Sequence, residues 1–227
     1  MSRRRRGVIG GPGLYIIPRT YLLAVVALLA AGIERLRRQG LDFEAMREDR
    51  ISNALSAQME AAKRGGISCN IRWETRPTIH YDPEDPQKTG IVDFKFHWVT
   101  YLNSNSEYLG VEAKKNGASG AVTSTDYIDG GVLDFVSGKY GRGHNHGVMM
   151  TYVVGSTVVH VTSVIHKAMT RRAGECKQTS AFSPDNSLCS HPHTHRSCHT
   201  QDGSGCNITL LHLFFDFTDN TPSQQIA

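Results

Sequence analysis

The sequence predicts an α/β fold in which a mixed β-sheet is flanked by helices. Two observations lead to this prediction. Of the 227 residues, 39% are hydrophobic, which suffices for a packed core and argues against a disordered chain. Segments with helical or strand-like patterning also follow one another in the order α, α, β, β, β, α, β, α, β, a mixed order that is typical of helices layered on a mixed sheet.

The N-terminal region contains a basic run, Arg3 to Arg6, and then an apolar run from Tyr21 to Gly32. This order resembles a signal peptide. The apolar run is shorter than the roughly 20 residues that span a bilayer, and it continues into alternating charged residues. We therefore predict a flexible basic segment at residues 1–18, a buried helix over residues 20–39, and a single cytoplasmic domain over residues 19–227 that does not contact a membrane. The alternative is a targeting segment or a membrane-associated protein anchored by residues 20–33.

The next elements follow from the spacing of apolar residues. Ile51, Leu55 and Met59 recur at four-residue intervals, which places them on one face of a helix over residues 43–63. Two consecutive glycines end this helix. Beyond them, residues 69–74 alternate as a strand does, and residues 81–90 are rich in proline and glycine, which indicates a turn.

The clearest strand covers residues 91–101, because its apolar and polar side chains alternate. One face carries Val92, Phe94, Phe96 and Trp98, and the other carries Asp93, Lys95 and His97. A turn at residues 103–106 leads to a second strand at residues 107–114, so that the two strands form a hairpin.

The C-terminal half is predicted to contain helices over residues 125–140 and 158–172 and strands over residues 147–154 and 208–217. Residues 173–206 are polar and rich in cysteine and histidine, and we expect a loop-rich insertion there. His212 lies inside the apolar last strand. A histidine in such a place is more often a hydrogen-bonded core residue than a ligand, and we assign it no catalytic role.

Strand geometry directs three side chains toward one site. Side chains two apart on a strand share a face, so that Glu112 and Lys114 project together. Asp93 lies on the polar face of the preceding strand, and a suitable register places it beside them. Carboxylate oxygens are preferred ligands of Mg²⁺, and an ammonium group stabilises charge that develops on a phosphate. These residue types indicate metal-dependent hydrolysis of a phosphodiester; the alternative is a hairpin whose polar face is simply solvated.

The arrangement of Asp93 followed by Glu112-Ala113-Lys114 resembles the PD-(D/E)XK nuclease superfamily, over residues 43–155. The resemblance implies a restriction-endonuclease-like core in which Asp93 and Glu112 hold Mg²⁺, or Mn²⁺, beside Lys114. Val92 stands at the proline position of the motif, and Val111 is a further candidate metal ligand. Many members carry another catalytic acid on the helix before the first strand. Glu48 is the candidate for it, with Glu44, Asp49 and Glu60 as rivals.

The resemblance implies an endonuclease, with double-stranded DNA as the expected substrate, that serves as a bacterial effector of restriction or anti-phage defence. A nuclease of this size without a recognisable reader domain implies control by a regulatory protein or by homo-oligomerisation. The alternative is a non-catalytic nucleic-acid-binding or assembly subunit that keeps the fold. The net charge of +4 permits nucleic-acid binding without indicating it. A second Glu-x-Lys triplet, Glu175 to Lys177, lacks an upstream strand with an aspartate.

Three basic residues are candidates for contacts with nucleic acid. Lys115 directly follows the Glu-x-Lys triplet. Lys139 fills the place where related nucleases often carry a lysine or glutamine on the following helix. Arg142 lies in the Gly-rich segment 139–147, which can contact phosphates through its backbone amides. The alternative for this segment is an ordinary surface loop.

The last quarter of the chain holds a dense set of potential zinc ligands. Cys189, His193 or His195, Cys198 and Cys206 could supply the four ligands of a structural Zn²⁺. Their spacings match no familiar zinc finger, so a variable polar insertion is the favoured interpretation. The five cysteines are an odd number in a chain of this length, which indicates a reducing compartment rather than a disulfide framework.

Overall fold

The computed structural model of the chain describes residues 15–67, 70–80, 89–98, 107–116, 124–187 and 191–218. Several sequence predictions concern residues outside these ranges. They are residues 1–14 of the flexible segment predicted over residues 1–18, residues 81–88 of the turn predicted over residues 81–90, the turn at residues 103–106, and any role for Cys69 or Cys189.

The helices of the described residues are α1 (Arg19–Arg37), α2 (Glu48–Arg64), α3 (Ser124–Tyr127), α4 (Leu133–Val136) and α5 (Val158–Arg171). A π-helical turn, Ile128–Val132, joins α3 to α4 into one continuous stretch. This stretch stands where the sequence predicts a single helix over residues 125–140, and its π turn contains Gly130 and Gly131. Helix α2 begins at Glu48, five residues after its predicted start.

The strands are β1 (Ile71–Thr75), β2 (Thr78–His80), β3 (Thr89–Ile91), β4 (Phe94–Trp98), β5 (Leu109–Asn116), β6 (His146–Val153), β7 (Gln178–Pro184), β8 (Thr194–Thr200) and β9 (Asn207–Asp216). Seven of them form one sheet in the order β1-β4-β5-β6-β9-β8-β7, and β2 pairs with β3 apart from it. β6 runs parallel to both of its neighbours, β5 and β9, and the other neighbours in this sheet are antiparallel. The predicted mixed sheet flanked by helices is confirmed at this level of detail.

Apolar side chains cover both faces of the seven-stranded sheet. On one face, α1 and α2 pack against the central strands, where Phe94 and Val111 are fully buried. On the other face, α3, the π turn, α4 and α5 form a second buried cluster that includes Phe135. Because side chains on a strand alternate between faces, Val111 points toward α1 and α2, whereas Glu112 points toward the π turn.

Helix α1 is part of the core, as the sequence predicts. Within its apolar run, Val25, Leu28 and Leu29 are fully buried in the cluster that α1 forms with α2 and the sheet. No helix in the described part of the chain has both the length and the apolar character that crossing a membrane requires.

The loop-rich insertion expected at residues 173–206 is wrong in its central part. The segment supplies β7 and β8, which extend the sheet beyond β9. The expectation fails because the inward-facing positions of β8 are polar. Ser197 and His199 are fully buried and hydrogen-bond to each other, and the other ring nitrogen of His199 hydrogen-bonds to the carbonyl of Cys176. A strand that buries hydrogen-bonded polar groups carries no hydrophobic alternation.

The single strand predicted over residues 91–101 is also wrong at its start. The chain leaves the extended conformation at Val92 and Asp93, which separate β3 from β4. As a result, Val92 joins the cluster under α5, while Phe94 and Phe96 face α1 and α2. Of the four residues predicted to share a face, Phe94, Phe96 and Trp98 therefore do so, and Val92 does not.

Candidate active site

The candidate site lies beside the first residue of β4, Phe94, where β5 continues beyond its pairing with β4. The two strands pair from Phe96 opposite Leu109 to Phe94 opposite Val111. Beyond this point, every second amide of β5 still points toward the missing neighbour. Asp93 Oδ2 accepts a hydrogen bond from the Ala113 amide at 2.8 Å, and Glu48 Oε2 accepts one from the Lys115 amide at 2.5 Å. Two carboxylates therefore continue the ladder that β4 leaves incomplete.

Glu112 supplies the third carboxylate of this region. Its side chain is 5% exposed, and Lys114 Nζ lies 2.6 Å from Glu112 Oε1. Glu112 Oε2 is buried and has no hydrogen-bond partner among the described residues. A buried carboxylate oxygen without a hydrogen-bond partner costs free energy, and a bound donor or cation at this atom would remove that cost. We refer to Glu48, Asp93 and Glu112 as the carboxylate cluster.

The π turn lies against the Lys114 side chain. A Cβ atom built on Gly130 would lie 3.8 Å from Lys114 Nζ, and one built on Gly131 would lie 3.7 Å from Lys114 Cε, which are ordinary contact distances. A Cβ atom on Gly131 would overlap the side chain of Met149. Glycine at position 131 is therefore required by Met149 and not by Lys114.

Burial and mutual repulsion make it costly to ionise the three carboxyl groups, so a nearby positive charge is favoured. Burial raises the pKa of Glu112 to about 8, and repulsion from Asp93 and Glu48 adds to the effect of burial against the attraction of Lys114. Burial also raises the pKa values of Asp93 and Glu48. For Lys114, burial acts to lower the pKa, but the attraction of Glu112 and the other two carboxylates outweighs it and the pKa is raised. Lys114 is therefore protonated at neutral pH.

The donor set suits a hard divalent cation that keeps part of its hydration shell. In the described residues, no three or more His, Cys, Asp or Glu side chains are arranged as a preformed metal cage. Mg²⁺ does not require one, because it commonly takes one or two carboxylates and completes its six positions with water and substrate phosphate. The unpartnered Glu112 Oε2 and the mutual repulsion of the carboxylates are both relieved by such an ion, so the residues fit it.

The remaining candidate ligands of the cation occupy different places. Val111 is fully buried in the α1–α2 face of the sheet, and its aliphatic side chain carries no ligand atom. Among the rivals of Glu48, the Glu44 carbonyl accepts a hydrogen bond from Lys115 Nζ at 2.6 Å. Asp49 forms ion pairs with Arg47 and Arg76. Glu60 is exposed, three helical turns beyond Glu48 on α2.

All three basic residues expected to contact nucleic acid have interactions within the protein. Lys115 Nζ donates hydrogen bonds to the carbonyls of Glu44 and Met46, which fixes the chain before α2. Lys139 Nζ lies 2.6 Å from Asp134 Oδ2 in an ion pair. Arg142 is exposed, close to Gly138 and Gly203.

One residue near the cluster carried no sequence signal. The Arg76 amide donates to the Asp93 carbonyl at 2.8 Å, which holds the irregular backbone that carries Asp93. Arg76 itself has a φ of 54°, a left-handed conformation that is uncommon for residues other than glycine and asparagine. A spacing or periodicity argument detects neither the interaction nor the conformation.

The expected zinc ligands do not converge in the part of the chain that is described. Cys198 Sγ lies against Thr209, and Cys206 Sγ donates to the Ser204 carbonyl. The His195 ring stacks on Phe182. Cys189 lies outside the described residues. The described candidates thus contact separate neighbours, in agreement with the absence of a three-ligand group among them.

A cavity of about 350 Å³ lies away from the carboxylates. It lies between the N-terminal part of the described chain, the last residue of β4 and the residues just before β5. Its lining includes Tyr15, Tyr21, Trp98 and Tyr108. Trp98 is the last residue of β4, at the opposite end of the strand from Asp93. The cavity is therefore not part of the carboxylate site.

Comparison of the chain with protein-family models, with curated proteins and with solved structures gives no match. The site is therefore interpreted from its own geometry and chemistry.

Proposed function

We propose that the chain is a metal-dependent nuclease of the PD-(D/E)XK type, which hydrolyses phosphodiester bonds of nucleic acid and takes double-stranded DNA as substrate. One observation carries the proposal: Glu48, Asp93, Glu112 and Lys114 gather where β4 and β5 part, and Glu112 Oε2 is buried there without a partner. A restriction-endonuclease-like core, cytoplasmic location, an effector role in bacterial defence, and control by a regulatory protein or a second copy belong to the same proposal.

Asp93 and Glu112 are the residues that would bind the divalent ion, Mg²⁺ or Mn²⁺. Such an ion, when bound, lowers the pKa of a coordinated water and neutralises charge on the phosphate. Lys114 is protonated because its pKa is raised, so it donates a hydrogen bond and a positive charge rather than accepting a proton. We assign it to a non-bridging phosphate oxygen, where charge increases during attack. Glu48 links the start of α2 to β5 and keeps the carboxylates close.

A plasmid-nicking assay tests the proposal. Purified protein should convert supercoiled DNA to open-circular DNA with Mg²⁺ or Mn²⁺ and not with EDTA. Glu112→Gln preserves the shape of the side chain but removes the charge, so cleavage should fall by at least about 100-fold, the scale of losing one electrostatic catalytic group. Glu60→Gln, on the exposed side of α2, is the matched control and should cleave as the wild type does. Equal cleavage by the wild type and Glu112→Gln would end the proposal.

A second candidate, a non-catalytic nucleic-acid-binding or assembly subunit, has one observation in its favour. Asp93 and Glu48 both accept hydrogen bonds from main-chain amides of β5. Satisfying these amides is a sufficient structural reason for an acid at each of the two positions. This structural role does not account for Glu112, whose buried Oε2 has no hydrogen-bond partner among the described residues. Protein that binds DNA tightly but fails to cleave it with either metal would favour this candidate.

A further inference from the structure

We propose that Arg76 forms a phosphate-binding site at the rim of the carboxylate cluster, where it exchanges its contact with Asp49 for a backbone phosphate of the nucleic acid. This inference rests on the proposed function and names the residue that positions the substrate beside the cluster. Nothing in the sequence pattern pointed to Arg76.

The place of Arg76 in the chain supports the inference. Its main chain is fixed to the site, because the Arg76 amide donates to the Asp93 carbonyl at 2.8 Å. Its side chain is 44% exposed, so the guanidinium can reach solvent and a ligand. Burial raises the pKa values of both Glu48 and Asp93, and the positive charge of Arg76 acts against this rise. The guanidinium is therefore within electrostatic range of the carboxylates and open to a substrate.

The present partner of Arg76 is one that a phosphate can displace. Arg76 Nη1 lies 3.4 Å from Asp49 Oδ2, and both side chains are substantially exposed. Ion pairs of this kind contribute little to stability. Asp49 keeps other contacts when Arg76 leaves, because its Oδ1 accepts the Arg50 amide at 2.9 Å and lies 3.5 Å from Arg47 Nε. A phosphate offers the guanidinium two parallel hydrogen bonds in exchange for one loose contact.

The backbone conformation of Arg76 gives independent support. With a φ of 54°, the residue occupies a region that costs a β-carbon-bearing residue free energy. Asparagine or glycine would adopt it more readily. Arginine is therefore unfavourable for the backbone at this position. A binding role for the guanidinium accounts for its presence there.

Arg76→Asn is the test, because asparagine tolerates the left-handed conformation and retains the amide that holds Asp93. Binding of a fluorescent DNA duplex would be followed by anisotropy in EDTA over a range of salt concentrations. Loss of one phosphate contact should reduce the slope of log affinity against log salt by about 0.9. The affinity should fall roughly threefold to tenfold at constant salt, uniformly across sequences. Arg76→Lys, which keeps the charge, should retain the slope.

Arg72→Gln is the matched control, since Arg72 is exposed on β1, the strand just before Arg76, but lies opposite His97, at the far end of the β1–β4 pair from Asp93. It should leave the slope unchanged. An unchanged slope for Arg76→Asn, or an equal loss for Arg72→Gln, would overturn the inference while cleavage by the wild type still supports the nuclease. A wild type that neither binds nor cleaves nucleic acid would overturn both.

Discussion

Replacement of Glu112 by glutamine should stabilise the metal-free protein, and by more as the pH rises. The wild-type carboxyl is almost fully buried, and its pKa is raised from 4.5 to about 8. A carboxyl whose pKa is raised on folding favours the folded state while it is protonated, and this contribution is lost as the pH rises from the unfolded value to the folded one. The window therefore runs from about pH 4.5 to about pH 8.

The size of the effect follows from the same pKa values. A change of one pKa unit corresponds to 1.36 kcal/mol, so the rise from 4.5 to about 8 gives a ceiling of about 5 kcal/mol for ionising Glu112 in the folded protein. Some of this is relieved by relaxation around the charge, and we expect about 2–4 kcal/mol. Glutamine keeps the volume of the side chain and does not ionise. The difference in unfolding free energy between Glu112→Gln and the wild type should therefore increase by this amount from about pH 4.5 to about pH 8.

Urea denaturation of both proteins in EDTA, at intervals from pH 5 to pH 9, measures the difference directly. Addition of Mg²⁺ at pH 8 provides an internal check, because it should raise the stability of the wild type and leave Glu112→Gln nearly unchanged. Parallel stability curves from pH 5 to pH 9 would refute the reasoning, since they would mean that Glu112 ionises in the folded protein at no cost.

Four further predictions concern the surroundings of the site and the core. Lys115→Met should cost about 1–2 kcal/mol in urea denaturation, because the Glu44 and Met46 carbonyls lose their shared donor; an unchanged midpoint would contradict this anchoring role. Gly131→Ala should lower stability by about 1–3 kcal/mol through overlap with Met149, and a variant as stable as the wild type would show that the turn adjusts freely. Ser197→Ala should cost about 1–3 kcal/mol, because the rings of His199 and His212 each lose a buried partner, and a thermal midpoint within error of the wild type would disprove it. Burial lowers the pKa of His212 well below 6.5, so its contribution to stability is complete above pH 6.5 and is lost as the pH falls below that value; His212→Gln should be less sensitive to acid between pH 7 and pH 5, and an equal acid sensitivity would exclude His212 as its source.

Strand parity predicts part of the site and explains why the rest needs the structure. The alternation of side chains along β5 places Glu112 and Lys114 on one face, and this follows from the sequence alone. The position of Asp93 does not, because it lies in the irregular segment between β3 and β4, where alternation fails. Its closeness to β5 depends on a hydrogen bond to the Ala113 amide, a contact between residues 20 positions apart in the chain.

The role of Glu48 illustrates a second limit. Its helix predicts an acid near the strands, but several acids of that region satisfy the same pattern. Selection of Glu48 over Asp49 depends on the exact start of α2 and on the Lys115 amide, which is open to Glu48 because β4 begins only at Phe94 and pairs with β5 no further than Val111. Helix boundaries are among the least predictable features of a sequence.

The C-terminal region shows that a buried strand can lack a hydrophobic pattern in the sequence. β8 buries serine, threonine and histidine side chains that satisfy one another, as in the chain of hydrogen bonds from Tyr127 through His212 and Ser197 to His199. Such a strand looks like a polar insertion in the sequence. In contrast, His212 sits in an apolar strand, and its prediction as a satisfied core residue is confirmed by full burial and two hydrogen bonds.

The central claim is that Asp93 and Glu112 bind one divalent cation between them. Calorimetric titration of Mn²⁺ into the metal-free wild type, Asp93→Asn, Glu112→Gln and Glu60→Gln at pH 8 measures this without requiring a nucleic-acid substrate. The claim predicts a binding site that is lost in both Asp93→Asn and Glu112→Gln and retained in Glu60→Gln. Equal Mn²⁺ binding by the wild type and either cluster variant would contradict it.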